Sequence, residues 1–513
     1  MKNKKGFTLI ELLAVIIILA VIALIATPIV LNVVDNARKS ANKDSAYGLL
    51  DSAKLYYMES LLDESKSLSG NLIDKINVSG SKPNSGTVYI NNKGEIALAV
   101  VYDKVCFTKN YEDADLTESD DIENCIVTVP RELYKDTVLN GADPELKDNL
   151  VAVTINTDGT VKKADIYSEW YNYTNKTWAN AVLLNGNDTY KVGDTIEENN
   201  IKAYYVWIPR YKYQIFYDGT NATSKQLINI VFEDKNTTKS NGTTKGEWLT
   251  HPAFTFGDTE LNGIWVGKFE LTGDTTNPTI KPNVESLRNE NVSTLFTTTQ
   301  KLSTNSSMLK NSEWGAIAYL TTSQYGQGLD EVRINNSSTY ITGCAAATEN
   351  GSAFSGCERE YNTNIGVLAS TTGNISGIYD MSGCSWEYVM GVMEDSLNSN
   401  TPSSGANAKN NSGFTGKNTY DNSNTSGIAF PQSKYYDIYK YGASDSDFAR
   451  YHLGDATTEI KGWNGDNAYF VYPSSPWFKR GGLYFLSSNV GVFAFVHNNG
   501  QANTFDSTRA VLR

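Results

Sequence analysis

Apolar and polar positions change their spacing three times along this 513-residue chain. From Leu12 to Leu31 about 20 consecutive residues carry no charge, enough helix to cross a bilayer. From Val33 to about Leu62 the apolar residues thin out. Ala37, Ala41, Leu49, Leu50, Ala53, Leu55 and Tyr57 recur near helical spacing among polar neighbours. This pattern predicts that the apolar helix continues as an amphipathic half packed on a globular body. Residues 66–165 then read as short strands. GTVYINNKGEIALAVVYD places two apolar runs on either side of Asn91-Asn92-Lys93-Gly94, which predicts a hairpin. Residues 166–200 read as a polar, aromatic connector. A larger domain over 201–513 follows, with Tyr-, Phe- and Val-rich strands and long Asn/Ser/Gly-rich loops. Inside it, 396–426 is low-complexity and predicts a surface loop.

The chemistry at the N-terminus narrows this picture. Lys2, Lys4 and Lys5 precede Gly6, and the apolar run opens at Phe7 with a single acid, Glu11. A secretory signal carries its small cleavage residue after the apolar stretch; here the small residue comes before it. Gly6-Phe7-Thr8-Leu9-Ile10-Glu11 after three lysines resembles the leader of type IV prepilins and pseudopilins, over roughly the first 60 residues. An ordinary signal anchor with an incidental glutamate is the plainer alternative, and the six-residue string weighs against it. The resemblance implies a leader over 1–6, cut between Gly6 and Phe7 by a prepilin peptidase, with methylation as part of the processing. It implies a membrane and assembly helix over 7–34 and a pilin-like helix and β head over 35–165. It also implies that Glu11 pairs with the new amino terminus of a neighbouring pilin subunit, and that Pro28 kinks the helix. Three lysines at the start place the leader in the cytoplasm and the C-terminal domain outside, in a single-pass protein of the bacterial cytoplasmic membrane and cell surface.

Composition removes some classes. A formal net charge of −13 and a pI of about 4.9 argue against nucleic-acid binding through basic patches. Of the 5 cysteines, Cys106 and Cys125 share one segment and Cys344 and Cys357 another. Two local disulfides, with Cys384 left over, are the simplest pairing for an oxidising compartment, although sequence does not fix connectivity. No spacing is CxxC. The 3 histidines, His251, His452 and His497, are scattered, and no metal or cofactor is expected.

In the larger domain, several stretches carry a second resemblance. They are Ile264–Gly273 (IWVGKFELTG), Asn311–Leu320 (NSEWGAIAYL), Gly377–Gly391 (GIYDMSGCSWEYVMG), Trp477–Phe485 (WFKRGGLYF) and Ser507–Arg513 (STRAVLR). In order and spacing they resemble the formylglycine-generating-enzyme type of the C-type lectin fold. The expected fold class is therefore α+β: a long pilin helix on a small antiparallel sheet, followed by a C-type-lectin-like domain. The residues themselves read as structural. Asp380 and Gly383 suit a turn, Trp386, Tyr388 and Val389 suit a core, and Glu387 is expected to pair with Arg480 or Arg509. The oxidase family holds copper with two cysteines in its last strands; no cysteine follows Cys384 here. No nucleotide, zinc-protease or serine-hydrolase motif is present, so an enzyme is not expected.

The last 37 residues alternate two kinds of position. Arg480, Gly481, Gly482, Gly491, Val492, Phe493, Ala494, Phe495, Gly500, Ala502 and Arg509 have evident backbone or core roles. Between them stand chemically unrelated residues: Leu483, Phe485, Leu486, Ser488, Asn489, Val496, His497, Asn498, Asn499, Asn503, Thr504, Phe505 and Asp506. This layout resembles the variable C-terminus of proteins targeted by diversity-generating retroelements, which use the same fold; an ordinary Asn-rich terminus is the alternative. With Tyr484 these residues form the expected ligand-binding face, where aromatic area stands beside adaptable polar groups. The expected ligand is an extracellular protein or glycan, displayed on a minor or tip pilin. The rival expectations are a structural pseudopilin of a secretion or DNA-uptake machine whose large domain is a cap, and, more remotely, an oxidase of the formylglycine-generating type.

Overall fold

The computed structural model describes residues 8–513 except 64–65, 67, 69, 79–80, 92, 128–131, 148, 218–224, 244–245, 350, 396–397, 403–410, 416–427, 441–452, 458, 461–462 and 473, and only the backbone at 394–395, 398–402 and 415. The chain divides into two units, Met1–Glu132 and Leu133–Arg513. Its architecture is α+β.

Helix α1 (Leu9–Ser60) runs without interruption through Pro28. Its first half is long and apolar enough to cross a membrane, and its large side chains there stand exposed, from Leu9 to Val34. The second half buries Ala46, Leu49, Leu50, Ala53 and Tyr56, which recur on one face of a 3.6-residue helix. Burying each leucine contributes about 1.5–3 kcal/mol. That face meets an antiparallel sheet in the order β1 (Ser85–Ile90), β2 (Ile96–Tyr102), β3 (Val105–Lys109) and β4 (Thr117–Ser119). Alternate residues of β2, Leu98, Val100 and Tyr102, join the helix in one core. The expected hairpin joins β1 to β2. Asn91 Oδ1 accepts from the N–H groups of Lys93 and Glu95, and Gly94 takes φ +80°, which glycine adopts without steric cost. Cys106 and Cys125 are disulfide-bonded.

In chain order, the main strands of the second unit are β5 (Leu150–Ile155), β6 (Val161–Lys163), β7 (Asn180–Leu184), β8 (Ile201–Pro209), β9 (Gly263–Gly267), β10 (Ser306–Met308), β11 (Trp386–Asp395), β12 (Asp437–Tyr439), β13 (Trp477–Gly481), β14 (Gly491–Asn498), β15 (Asp506–Thr508) and β16 (Ala510–Leu512). Helix α2 (Val292–Thr299) precedes β10 and α3 (Asn311–Thr321) follows it. One sheet has the order β10-β16-β9-β8-β7-β5-β6. The other is built around β11, with β13 antiparallel to it, β14 antiparallel to β13, and β12 and β15 parallel to β11. Consecutive strands β15 and β16 thus belong to different sheets, and the chain's end ties the two together.

Three sequence expectations are corrected here. Residues 133–165 do not belong to the head of the first unit, because β5 and β6 are strands of the seven-stranded sheet. Nor is 166–200 a connector: β7 lies inside that sheet, and Trp170, Tyr171, Tyr173 and Trp178 are buried. Their polar handles are satisfied internally, Tyr173 Oη donating to Trp207 O at 2.7 Å and Tyr171 Oη to Asp143 at 2.7 Å. Aromatic density among Asn and Thr looks like a recognition surface in sequence, yet Tyr and Trp can be buried once each polar atom finds a partner. Cys344 and Cys357 are joined, and Cys384 is a buried thiol. Of the 396–426 stretch, 396–397, 403–410 and 416–426 lie outside the described residues; within the rest Ser412 and Phe414 are buried, so this part is not the surface loop expected.

Candidate functional site

At the N-terminus, Gly6 and Phe7 lie outside the described residues. Thr8 caps α1, and Glu11 reaches back to it: its carboxylate accepts from Thr8 N and Thr8 Oγ1, both at 2.9 Å. The same Glu11 therefore closes a capping box within its own chain.

Beneath the C-terminal face lies a buried ionic centre. Arg509 donates to both Glu387 oxygens, at 2.6 and 3.1 Å, and to the carbonyls of Gly267 and Tyr379. Of the two expected partners Arg509 is the one used. Arg480 instead donates to Asn311 and to the carbonyls of Asp455 and Ala456. Burial pushes Glu387 up to about 7, against the pull of Arg509. Asp380 accepts from Asn335 Nδ2 and Gly343 N, and Glu270 from Ser385 N. Burial, together with the Glu387 and Asp380 charges, holds Glu270 well above the usual carboxylate range. The Cys384 thiol is likewise pushed up by burial and by Glu270. None of these groups reaches solvent, so the cluster acts as scaffold for the face above it.

The expected face divides into three sets. Phe485 (47% exposed), Ser488, Asn489, Thr504 and Phe505 (41%) are open to solvent. Tyr484, Leu486, Val496, His497, Asn498, Asn499 and Asn503 are half-buried. Leu483 and Asp506 are buried, and their assignment to the face is corrected. Leu483 packs with Tyr340, Cys384, Trp386 and Ala494, and Tyr484, Leu486 and Val496 lean on that cluster. Asp506 pairs with Lys479 at 2.9 Å, and the ammonium lies 5.7 Å from the Trp386 ring and 5.8 Å from the Tyr388 ring. Both corrected positions look free in sequence because a single buried residue at the end of a loop leaves no periodicity. Several asparagines also have backbone duties. Asn498 Oδ1 accepts from Tyr388 Oη and Gly500 N, Asn499 Oδ1 from Gln501 N, and Asn503 Oδ1 from Phe505 N.

Three contributors to this face escaped the sequence reading. Tyr469 and Tyr472, 57% and 44% exposed, flank His497 with ring centroids 6.4 and 4.5 Å away. They arrive because Ala468 bridges Phe495 of β14, so residues 467–472 extend the edge of the sheet. The alternation in Asn467-Ala-Tyr-Phe-Val-Tyr472 was the available signal. Arg288 stacks over Tyr340 at 3.7 Å and donates to Thr504 O at 2.5 Å, fixing the loop that carries Phe505. Burial, and the nearby Lys479 charge, lower the His497 pKa, which favours the neutral ring. The other histidines lie elsewhere. His251 is buried, its pKa lowered to about 3 by burial, and His452 is outside the described residues. Among the described residues no group of three His, Cys, Asp or Glu side chains has the geometry to hold a metal ion.

Comparison with known proteins bears on the N-terminus. Residues 1–27 match the family model of the prokaryotic N-terminal methylation motif. The chain thus has a type IV prepilin-like N-terminus joined to an apolar helix suited to membrane association. No curated protein matches the chain significantly.

Proposed function

We propose that this chain is a minor or tip pilin-like surface protein. Its second unit is a C-type-lectin-like head that binds an external protein or glycan through the C-terminal face. The observation that carries the reading is the contrast across residues 483–506. Phe485, Phe505, Ser488, Asn489 and Thr504 are solvent-exposed on a framework fixed by the buried Arg509–Glu387 and Lys479–Asp506 pairs. Rigid aromatic area beside adaptable polar groups is the composition of a recognition surface. The methylation motif and the exposed apolar half of α1 support mounting in a pilus-like assembly with the head outside the cell. We read the head as a binding module and not an enzyme, since the buried carboxylates are committed to the scaffold and no cysteine follows Cys384. The open positions of the face are also those we propose to be diversified by a retroelement.

The test is binding by the full-length protein, solubilised in non-ionic detergent, to glycan and protein arrays. A specific signal that Phe485→Ala and His497→Ala together abolish is expected. Absence of any signal, with loss of secretion on deleting the second unit, would favour the structural pseudopilin instead.

A further inference from the structure

The pairing of β13 with β14 is interrupted near the end of β13. Arg480 faces Phe495 and Gly481 faces Gly491, so Val492, Phe493 and Ala494 have no counterpart on β13. Backbone groups freed by such an irregularity need other partners when they are buried. Two side chains supply them. Trp314 Nε1 donates to Val492 O at 2.7 Å, and Asp466 Oδ2 accepts from Phe493 N at 3.1 Å. Gly491 permits the second contact, since a Cβ there would stand 2.4 Å from Asp466 Oδ2.

Asp466 also stands where two parts of the C-terminal face meet. It directly precedes the segment 467–472, which carries the exposed rings of Tyr469 and Tyr472. Asn467 N donates to Asn489 O at 3.0 Å, and Asn467 O accepts from Phe495 N at 2.8 Å. Ser488 and Asn489 lie on the loop that enters β14 from the other side. One carboxylate thus borders both segments and bonds to the second.

That carboxylate is poorly compensated. Asp466 is 6% exposed, and its Oδ1 has no hydrogen-bond partner among the described residues. The charges acting on it are Glu331, which repels it, and Lys225 and Arg480, which attract it. Neither the Trp463–Gly465 turn nor residues 487–493 carry an ionisable side chain. Burial first, then Glu331, pushes Asp466 up to about 7, against the pull of Phe493 N–H, Lys225 and Arg480. With its pKa raised from 3.8, the stability it contributes is fully present below about 3.8 and is lost as pH climbs through about 7. Once ionised, the group needs water or a cation. Gly491 and Phe493 line a cleft of about 590 Å³, so water reaches Asp466 when the 491–493 backbone moves aside.

We propose that Asp466 is a positioning residue of the C-terminal face, whose proton holds the 467–472 and 487–493 segments together. The face is tightened in mildly acidic surroundings and loosened as the proton leaves. The proposal rests on the reading of the second unit as a recognition head, and adds regulation of that same face by pH.

The test is hydrogen–deuterium exchange of the full-length protein in non-ionic detergent, with labelling times scaled to the chemical exchange rate at each pH. Protection of peptides covering Gly491–Phe493 is expected to fall about tenfold per pH unit from about 5.5 to about 7, one proton being released on opening, and then to level. Asp466→Asn keeps an acceptor for Phe493 N and cannot ionise, so it is expected to stay protected throughout. Glu331→Gln, at an exposed side chain outside the face, removes the repelling charge and is expected to move the levelling point to lower pH. No fall in the wild type, the same fall in Asp466→Asn, or an unmoved curve in Glu331→Gln overturns the proposal. The last arm holds even where Asp466→Asn does not fold. The exchange is read without ligand, so its failure strikes the proton-dependent positioning alone, whereas silent glycan and protein arrays strike the recognition reading. An array signal of equal strength at both ends of the pH range also overturns the proposal and leaves the recognition reading standing.

Discussion

Arg509 and Glu387 meet in a bidentate ion pair, at 2.6 and 3.1 Å, with neither side chain exposed. Arg509 stands at the single residue between β15 and β16, where the chain passes from one sheet to the other. The pair therefore fixes both the crossing and the base of the C-terminal face. Arg509→Met strands Glu387 in the interior and is expected to destabilise the second unit by about 3–5 kcal/mol. Combining it with Glu387→Gln should recover part of that loss, because no uncompensated charge remains. Urea unfolding of the single and double variants measures the coupling, and strict additivity would show that the two residues act independently.

Stability should fall as pH rises from mildly acidic to neutral, counter to the usual behaviour of surface carboxylates. Glu459 is buried, accepts from Tyr213 Oη at 2.6 Å and Tyr319 Oη at 3.1 Å, and burial raises its pKa from 4.5 to about 7. The folded state thus holds this proton more tightly than the unfolded chain. Its contribution is fully present below about 4.5 and is lost as pH climbs through about 7. Glu459→Gln mimics the protonated form, and should flatten the pH dependence of the unfolding free energy, measured by urea titration, across that window by about 3 kcal/mol. An unchanged slope would mean that Glu459 does not control this dependence.

What could be read from the sequence depended on periodicity and on local chemistry. Helix α1 and the Asn91–Gly94 hairpin were legible because spacing and turn residues signal them directly; of the expected stripe Leu49, Leu50 and Ala53 are buried, whereas Ala37, Ala41 and Leu55 are exposed and Ala46 and Tyr56 complete the buried face instead. The Glu387 partner was narrowed to two arginines, but the choice between them depends on which strand crosses sheets, a long-range property. The boundary failed for the same reason. Strands β5, β6 and β7 look self-contained in sequence, and only their pairing with β8 draws them into the second unit. At the face, Phe485 and Phe505 could be named, whereas Tyr469 and Tyr472 were missed: the alternation over 467–472 signals a strand, but its place beside β14 depends on one isolated bridge from Ala468 to Phe495.

Burial separates two neighbouring residues that look equivalent in sequence. Leu483→Ala is expected to cost about 2–5 kcal/mol, because it opens a cavity against Tyr340, Trp386 and Ala494. Phe485→Ala, at a side chain 47% exposed, should change stability by less than about 1 kcal/mol and instead weaken ligand binding. Paired thermal melts and array binding distinguish the two outcomes. A strongly destabilised Phe485→Ala would mean that this ring supports the fold.

Glu11→Ala should leave cleavage intact and impair assembly. The carboxylate is held only by Thr8 at the exposed start of the helix in the single chain, so removing it weakens the first turn alone. A lost cap there does not unfold a helix anchored by Ala46, Leu49 and Tyr56. A large drop in filament incorporation, measured on sheared surface fractions, would then report a lost contact to a neighbouring subunit. Glu11→Gln keeps the capping acceptor and removes the charge. It should assemble as poorly as Glu11→Ala if a charged partner is what matters, and normally if capping is.

The proposed diversification makes a positional prediction that burial sharpens. Sequencing the 3′ end of this gene in independent isolates should find substitutions at Phe485, Ser488, Asn489, His497, Thr504 and Phe505, which face solvent or stand half-open. Leu483 and Asp506 should stay fixed. Leu483 fills a packed cluster, and Asp506 is the partner of a buried ammonium that any neutral residue would leave unpaired. Arg480, Gly491 and Arg509 should be fixed with them, Gly491 because a Cβ would collide with Asp466. Variation spread evenly over buried and exposed positions would mark ordinary drift, and frequent change at Asp506 without a matching change at Lys479 would remove the structural basis for separating frame from face.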